Sequence, residues 1–207
     1  MTSKPPRKST PLKKETNFER IVAWVLTVSG TVGLAASFML SIEEIHHLKH
    51  PAQSLACDIN PLIGCGSIMD TWQGHVLFGI PNQFFGIAAC AVLITLGVLV
   101  FAGVKFPRWI WQGLQLGMVG GVAFVGWFMY QSLFVLNHLC PYCMVTWTAI
   151  LPVAWYVTVY NLHAGNLPTW TNRFTSFATR HHVDVIVGVF VVIIGGILLR
   201  FSDFFFG

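Results

Sequence analysis

Long uncharged apolar runs separated by short polar segments dominate the chain. Four runs contain no Asp, Glu, Lys or Arg: Ile21–Ile42, Gly79–Val104, Trp109–Phe134 and Leu139–Leu162. Each reaches the roughly 20 residues that an α-helix needs to cross the hydrocarbon core. A fifth run, Val185–Leu199, is shorter and stops at Arg200. The apolar tail Phe204–Phe206 lets it complete a crossing if the Arg200 guanidinium reaches the interface. The pattern predicts an all-α integral membrane protein with five transmembrane helices.

Composition agrees. Apolar residues make up 55% of the 207 and charged residues 10%, where a soluble domain carries about a quarter charged. That excludes a water-soluble globule and a disordered chain. It also excludes a nucleic-acid binder, despite the net charge of +4. The basic residues are distributed unevenly across the predicted spans. With the N-terminus in the cytoplasm, the inner segments hold Lys4, Arg7, Lys8, Lys13, Lys14, Arg20, Lys105, Arg108, Arg173 and Arg180, and the outer segments only Lys49 and Arg200. This asymmetry predicts a multi-pass protein of the cell (inner) membrane with a cytoplasmic N-terminus.

Residues 1–20, rich in Pro, Lys, Ser and Thr, read as a disordered basic cytoplasmic tail. Residues 21–207 read as one transmembrane domain. Ile21–Ile42 ends in Ser-Ile-Glu-Glu with no small-x-small cleavage site, so a retained helix is expected rather than a signal peptide. The longest polar segment, 43–78, is too short for a second domain. Gly113, Gly117 and Gly121 recur every fourth residue of the third span, a spacing that suits close helix packing. Pro152 is expected to kink the fourth span.

The five cysteines change the picture from architecture to chemistry. Cys57 and Cys65 follow the first span, and Cys140 and Cys143 lie between the third and fourth. Loop parity puts both pairs on the outer, oxidising face, where disulfides persist. Cys140-Pro141-Tyr142-Cys143 is a CxxC at the start of an apolar helix. A helix N-terminus stabilises a thiolate on one of the two, and proline is tolerated in a first turn. A thioredoxin fold would need a βαβ pattern around the motif, but membrane spans flank it here. The alternatives for the CxxC are a structural disulfide or half a zinc site. Cys57 to Cys65, with an Asn60-Pro61 turn and Gly64 between, would alone be a structural staple. On the same face as a CxxC it reads as a dithiol that carries electrons from a soluble partner to a fixed acceptor. Cys90, inside the second span, reads as a small buried hydrophobe.

Cys57-Asp58 followed by Cys65, then Phe78-Gly79-Ile80-Pro81-Asn82-Gln83-Phe84-Phe85-Gly86, then Cys140-Pro141-Tyr142-Cys143, closely resemble the vitamin K epoxide reductase (VKOR) family from about Arg20 to Leu162. The resemblance implies a four-helix bundle around a quinone, with the fifth helix peripheral and an extracytoplasmic redox loop at 43–78. It implies that Cys143 lies against the quinone, that Cys140 exchanges with Cys65 through an interloop disulfide, and that Cys57 receives electrons from the soluble partner. By the same resemblance Asn82 hydrogen-bonds a quinone carbonyl; from the residues alone it could equally cap the second helix. Phe78, Phe84, Phe85, Tyr142 and Trp147 are candidates to cover an apolar ring, with Phe85 and Trp147 favoured. Trp147 stands where the vitamin K enzymes have a Tyr. Asp58 either tunes Cys57 or faces water. His46, His47, His50 and His75 are expected at the interface rather than on a metal.

The implied activity is a quinone-dependent thiol oxidase that forms disulfides for exported proteins, using menaquinone or ubiquinone. Several bacterial relatives carry a fused thioredoxin-like domain. This chain stops at Gly207, so the expected partner is a separate DsbA-like protein. A DsbB-type oxidase of a different bundle is the alternative enzyme. The alternative of another class is a non-catalytic membrane protein with structural disulfides or a His-cluster metal site.

Overall fold

The structure, a computed structural model, describes residues 17–51, 53–167, 176–178, 180–202 and 204. Its helices are α1 (Asn17–Lys49), the short α2 (Gly66–Met69), α3 (Asn82–Phe101), α4 (Arg108–Tyr130), α5 (Pro141–His163) and α6 (His182–Arg200). Five of them, all but α2, are long and apolar enough to cross a membrane. No strand occurs among the described residues, so the all-α membrane architecture stands. Backbone groups in hydrocarbon find no water, and helices satisfy them internally.

Residues 1–16 of the expected tail lie outside the described residues, as do Arg173 and Phe205–Phe206. Asn17–Arg20, read as tail, are instead the first turn of α1. The charge of Glu19 there is met by Lys105 Nζ at 2.8 Å.

α1 packs along α3 and α5, while α5 also receives α4 and α6. Close approach of α1 and α3 depends on glycines. A Cβ on Gly30 would come 2.9 Å from Ile94 Cγ1, one on Gly33 2.8 Å from Cys90 Sγ, and one on Gly86 2.6 Å from Ser37 Oγ. The regular stripe in α4 does something else. A Cβ on Gly113 or Gly117 would meet nothing within 4 Å, and one on Gly121 only Ile150 Cγ2 at 3.8 Å. The expected tight packing there is not found among the described residues. Small-residue spacing permits an approach without supplying the partner helix.

Burial of apolar surface drives little association between helices in lipid, so buried hydrogen bonds matter more. Asn161, fully buried on α5, donates Nδ2–H to Trp111 O (3.1 Å) and Gln115 Oε1 (3.2 Å) on α4. Its Oδ1 accepts from Asn166 (3.0 Å), whose carbonyl accepts from Arg108 and Gln112. This network fixes the end of the bundle that carries Lys105 and Arg108. At the other end α4 continues as a π-helical turn, Gln131–Leu136, and closes on Asn137 in the left-handed region (φ 54°). Arg200 of α6 holds that closure, donating to Leu133 O (3.2 Å) and Asn137 Oδ1 (2.6 Å). The guanidinium that the sequence leaves at the interface thus satisfies a carbonyl freed by the π-turn.

Candidate redox site

Both cysteine pairs gather at the α6 C-terminal end of the bundle. The segment 57–65 is tied down by its own polar side chains. Asn60 Oδ1 accepts from the N–H groups of Leu62 (2.9 Å) and Ile63 (2.7 Å), an Asx turn that Pro61 reinforces. Asp58 accepts from Cys65 N (2.8 Å) and Gly66 N (3.2 Å) on Oδ1 and from Leu55 N (3.3 Å) on Oδ2. Two of these donors open α2, so the carboxylate also sits at a helix N-terminus. Gly64 is required by that closeness, since a Cβ there would lie 2.7 Å from Asp58 Oδ1. Asp58 therefore neither simply faces water nor chiefly serves Cys57; it holds the backbone of Cys65.

This loop is stitched to the CxxC. Leu139 N–H donates to Leu62 O (2.9 Å) and Gly64 N–H to Leu139 O (3.0 Å), flanking a bridge between Ile63 and Leu139. Leu62 and Leu139 pack with Ile197 and Phe201 at the end of α6. The stitching brings Cys140 Sγ to 3.6 Å from Cys65 Sγ, while Cys65 is disulfide-bonded to Cys57 and Cys140 and Cys143 are free thiols. Cys57 is buried almost as deeply as Cys65.

Cys140 is the N-cap of α5, and its sulfur accepts from Cys143 N–H at 3.4 Å. Its pKa is lowered below the ordinary thiol value. The hydrogen bond from the Cys143 side chain is the main cause, aided by the backbone N–H groups of Cys143 and Tyr142 and opposed by burial. The helix N-terminus thus favours the thiolate on the first CxxC cysteine.

On the bundle side of the CxxC is a cavity of about 340 Å³ between α1, α3, α4 and α5. Cys65, Cys140, Cys143, Asn82, Phe85 and Trp147 all border it, so six of the seven residues singled out in the sequence surround one space. The seventh, Cys57, lies behind Cys65. Phe78, Phe84 and Tyr142 are not among its lining; Phe78 is 93% exposed, in a tight turn with Gly79 where both φ angles are positive. The walls are chiefly apolar, and the polar groups are few: Asn82, Gln83, Glu44, Ser37 and Thr146. This donor set fits a flat apolar ring carrying two carbonyls.

Asn82 is not the N-cap of α3; Pro81 occupies that position without a side-chain cap. Its amide turns back, accepting from Val76 N–H (3.1 Å) and donating to Gln73 O (2.6 Å). One Nδ2–H remains for a carbonyl. Sequence reasoning missed Glu44 and Gln83. Gly33, Ser37, Leu40 and Glu44 share one face of α1 at spacings of three and four, the signal that would have pointed to the first.

No group of three or more His, Cys, Asp or Glu side chains gathers at ligand spacing among the described residues. His47 pairs with Asp70 (2.9 Å) and His75 with Glu44 (3.3 Å).

No curated protein matches the chain. The model of the Vitamin K epoxide reductase family does match, over residues 24–158, a stretch that holds all four redox-loop and CxxC cysteines and every wall of the cavity, and the chain belongs to that family of membrane oxidoreductases.

Proposed function

We propose that the protein is a quinone-dependent thiol oxidase that makes disulfides for exported proteins. The observation that carries the reading is the contact of Cys140 Sγ with Cys65 Sγ at 3.6 Å, made where Cys143 borders an apolar cavity. A disulfide, its attacking thiol and an acceptor site then lie in series.

Electrons enter from a DsbA-like dithiol, a separate thioredoxin-fold protein. Its thiolate attacks Cys57, Cys65 leaves, and its second thiol closes the partner's own disulfide. Because Cys57 is only 4% exposed, docking displaces the short segment around Leu55 and Ala56 to reach the sulfur. Cys65 then attacks Cys140 of the Cys140–Cys143 disulfide, giving the interloop disulfide and freeing the Cys143 thiolate. Cys57 attacks Cys65 and regenerates the loop disulfide, leaving Cys140 and Cys143 reduced. This is the arrangement of bonds in the structure. The depressed pKa of Cys140 makes it a good leaving group at that step. Finally Cys140 and Cys143 close their disulfide and pass the electron pair on.

Quinone, as menaquinone or ubiquinone from the membrane pool, supplies the two-electron, two-proton acceptor. Asn82 would hold a carbonyl through its remaining N–H, with Phe85 and Trp147 against the ring. The charge distribution supports a cytoplasmic N-terminus in the cell membrane. Lys105 and Arg108 sit at the end of the bundle opposite the cysteines, which supports an oxidising-face position for the cysteines.

The test is turnover in lipid vesicles with a reduced dithiol protein and a quinone. Disulfide and quinol are expected in equal amounts, with none formed when quinone is omitted. Thiol oxidation that proceeds without consuming quinone would overturn the reading.

A further inference from the structure

Quinone reduction needs protons as well as electrons, and the cavity holds one carboxylate. Glu44, in the last turns of α1, is 6% exposed and lines the cavity together with Gln83. Gln83 Nε2 donates to Glu44 Oε2 at 3.5 Å, and Glu44 Oε1 lies 3.3 Å from His75 Nε2. The His75 side chain keeps 28% of its surface exposed, so it joins a buried acid to the outer face. His75 Nδ1 lies 3.3 Å from Thr71 O. A carbonyl can only accept, so Nδ1 carries a hydrogen and Nε2 is the nitrogen free to gain or lose one. His75 Nε2 thus faces Glu44 Oε1 at a distance over which a proton can pass between carboxyl and imidazole. An ionised carboxylate alone at such a site would be costly; with a histidine beside it the pair can load and unload.

The rest of the local structure keeps the pair together. His75 ends the 3₁₀ turn Trp72–His75, and the two hydrogen bonds of the Asn82 amide, to Gln73 O and from Val76 N–H, fasten the backbone on both sides of it. The residue expected to bind a carbonyl therefore also positions the histidine.

We propose that Glu44 is the proton donor of the quinone site and that His75 reloads it from water at the outer surface. The proposal rests on the quinone reading above. The step balances with Cys140 as thiolate, accepting from Cys143 N–H, and Cys143 as thiol. Two electrons leave the sulfurs as the Cys140–Cys143 bond forms. One proton comes from the Cys143 thiol and one from the Glu44 carboxyl, and the acceptor leaves as quinol. Glu44 is left ionised; His75 Nε2 takes a proton from water and passes it to Glu44, which restores both groups.

The test compares wild type, Glu44→Gln, Glu44→Asp and His75→Ala as full-length protein in lipid, with a short-chain quinone. Glu44→Gln keeps the size and hydrogen-bonding capacity of the side chain but has no proton to give. Quinol formation is expected to fall about 100-fold or more, with quinone affinity, read by tryptophan quenching, changed by less than about threefold, well under the roughly tenfold that 1.4 kcal/mol represents. Exchange between Cys65 and Cys140, read by alkylation and mass spectrometry, is expected to continue. Glu44→Asp retains a proton and is expected to keep part of the rate. His75→Ala is expected to slow turnover about tenfold or more and to be rescued by added imidazole, which a purely structural histidine would not show. Without quinone, infrared spectra in H₂O and D₂O should contain a carboxyl band that is absent in Glu44→Gln and shifted in His75→Ala. Wild-type rates in Glu44→Gln, a defect confined to quinone affinity, or no imidazole rescue would overturn the proposal while leaving the oxidase reading intact. Should wild type itself reduce no quinone, both fall together. If Glu44→Gln does not fold, Glu44→Asp and the imidazole rescue decide.

Discussion

Replacing Cys143 by Ser is expected to lower quinol formation by about 10⁴-fold or more, the scale on which removal of a covalent nucleophile acts. Thiol exchange further out should survive. Both CxxC cysteines border the cavity, but Cys140 also touches Cys65, while Cys143 lies one helical turn before Trp147. Without Cys143, Cys140 has no partner within its own motif. It can still attack Cys65 of the loop disulfide, and nothing then displaces it except Cys57. Alkylation followed by mass spectrometry should therefore find a Cys65–Cys140 disulfide with Cys57 modified. Cys140→Ser should do the opposite, leaving the Cys57–Cys65 disulfide intact and breaking the relay before the CxxC. If Cys143→Ser retained quinone reduction, or if Cys140→Ser gave the trapped interloop species through Cys143, the order of the two sulfurs would be wrong.

The second large effect is expected at a residue that touches no sulfur. Asp58 accepts hydrogen bonds from Leu55, Cys65 and Gly66. Hydrogen bonds to a charged acceptor contribute about 1.5–3 kcal/mol each when well sheltered. Asp58 is exposed, so screening reduces that figure. Asp58→Ala releases the backbone at Cys65 and should slow exchange between Cys65 and Cys140 about ten- to hundredfold, equivalent to roughly 1.4–2.8 kcal/mol in the barrier. Asp58→Asn keeps one oxygen for Cys65 and Gly66 and should recover most of the rate. The melting temperature should shift little, because the helices are held by other contacts, the Asn161 network and the glycine-lined α1–α3 seam among them. Exchange within about twofold of wild type in Asp58→Ala, a difference of only about 0.4 kcal/mol, would show that the bridge from Leu62 and Gly64 to Leu139 suffices to align the sulfurs.

How far the sequence could be read follows from which interactions are local. The five spans were legible because charge-free length is nearly the whole requirement for a membrane helix. The start of α1 was misplaced by four residues for the same reason: Glu19 and Arg20 look like the end of a run. Only a residue 86 positions away, Lys105, shows that Glu19 is paired inside the fold. The cysteines were legible through their chemistry, and Phe85, Trp147 and Asn82 through their place in a recognisable segment; the structure brings these around one cavity with Cys65, Cys140 and Cys143.

Less legible were interactions made by side chains with irregular backbone. Nothing in Cys-Asp-Ile-Asn-Pro says that the aspartate will reach forward seven residues to Cys65. The cap expected as one alternative for Asn82 is not made, because its amide turns back on Gln73 and Val76 and leaves one N–H over. Glu44 escapes a sequence reading, because hydropathy counts a residue's polarity and not the face of the helix that carries it. The glycine stripe of α4 misled in the opposite sense, since its regularity is visible and the space beside it is not.

The central claim is that Cys143 delivers the electron pair to quinone. It is tested most directly in purified Cys140→Ser, where Cys143 has lost its CxxC partner, by recording the visible spectrum as quinone is added. The account predicts a charge-transfer band between the Cys143 thiolate and the ring, lost on acidification and absent when Cys143 is also replaced by Ser. Quinone that binds without producing that band would contradict it, because the ring would then lie elsewhere than against Cys143.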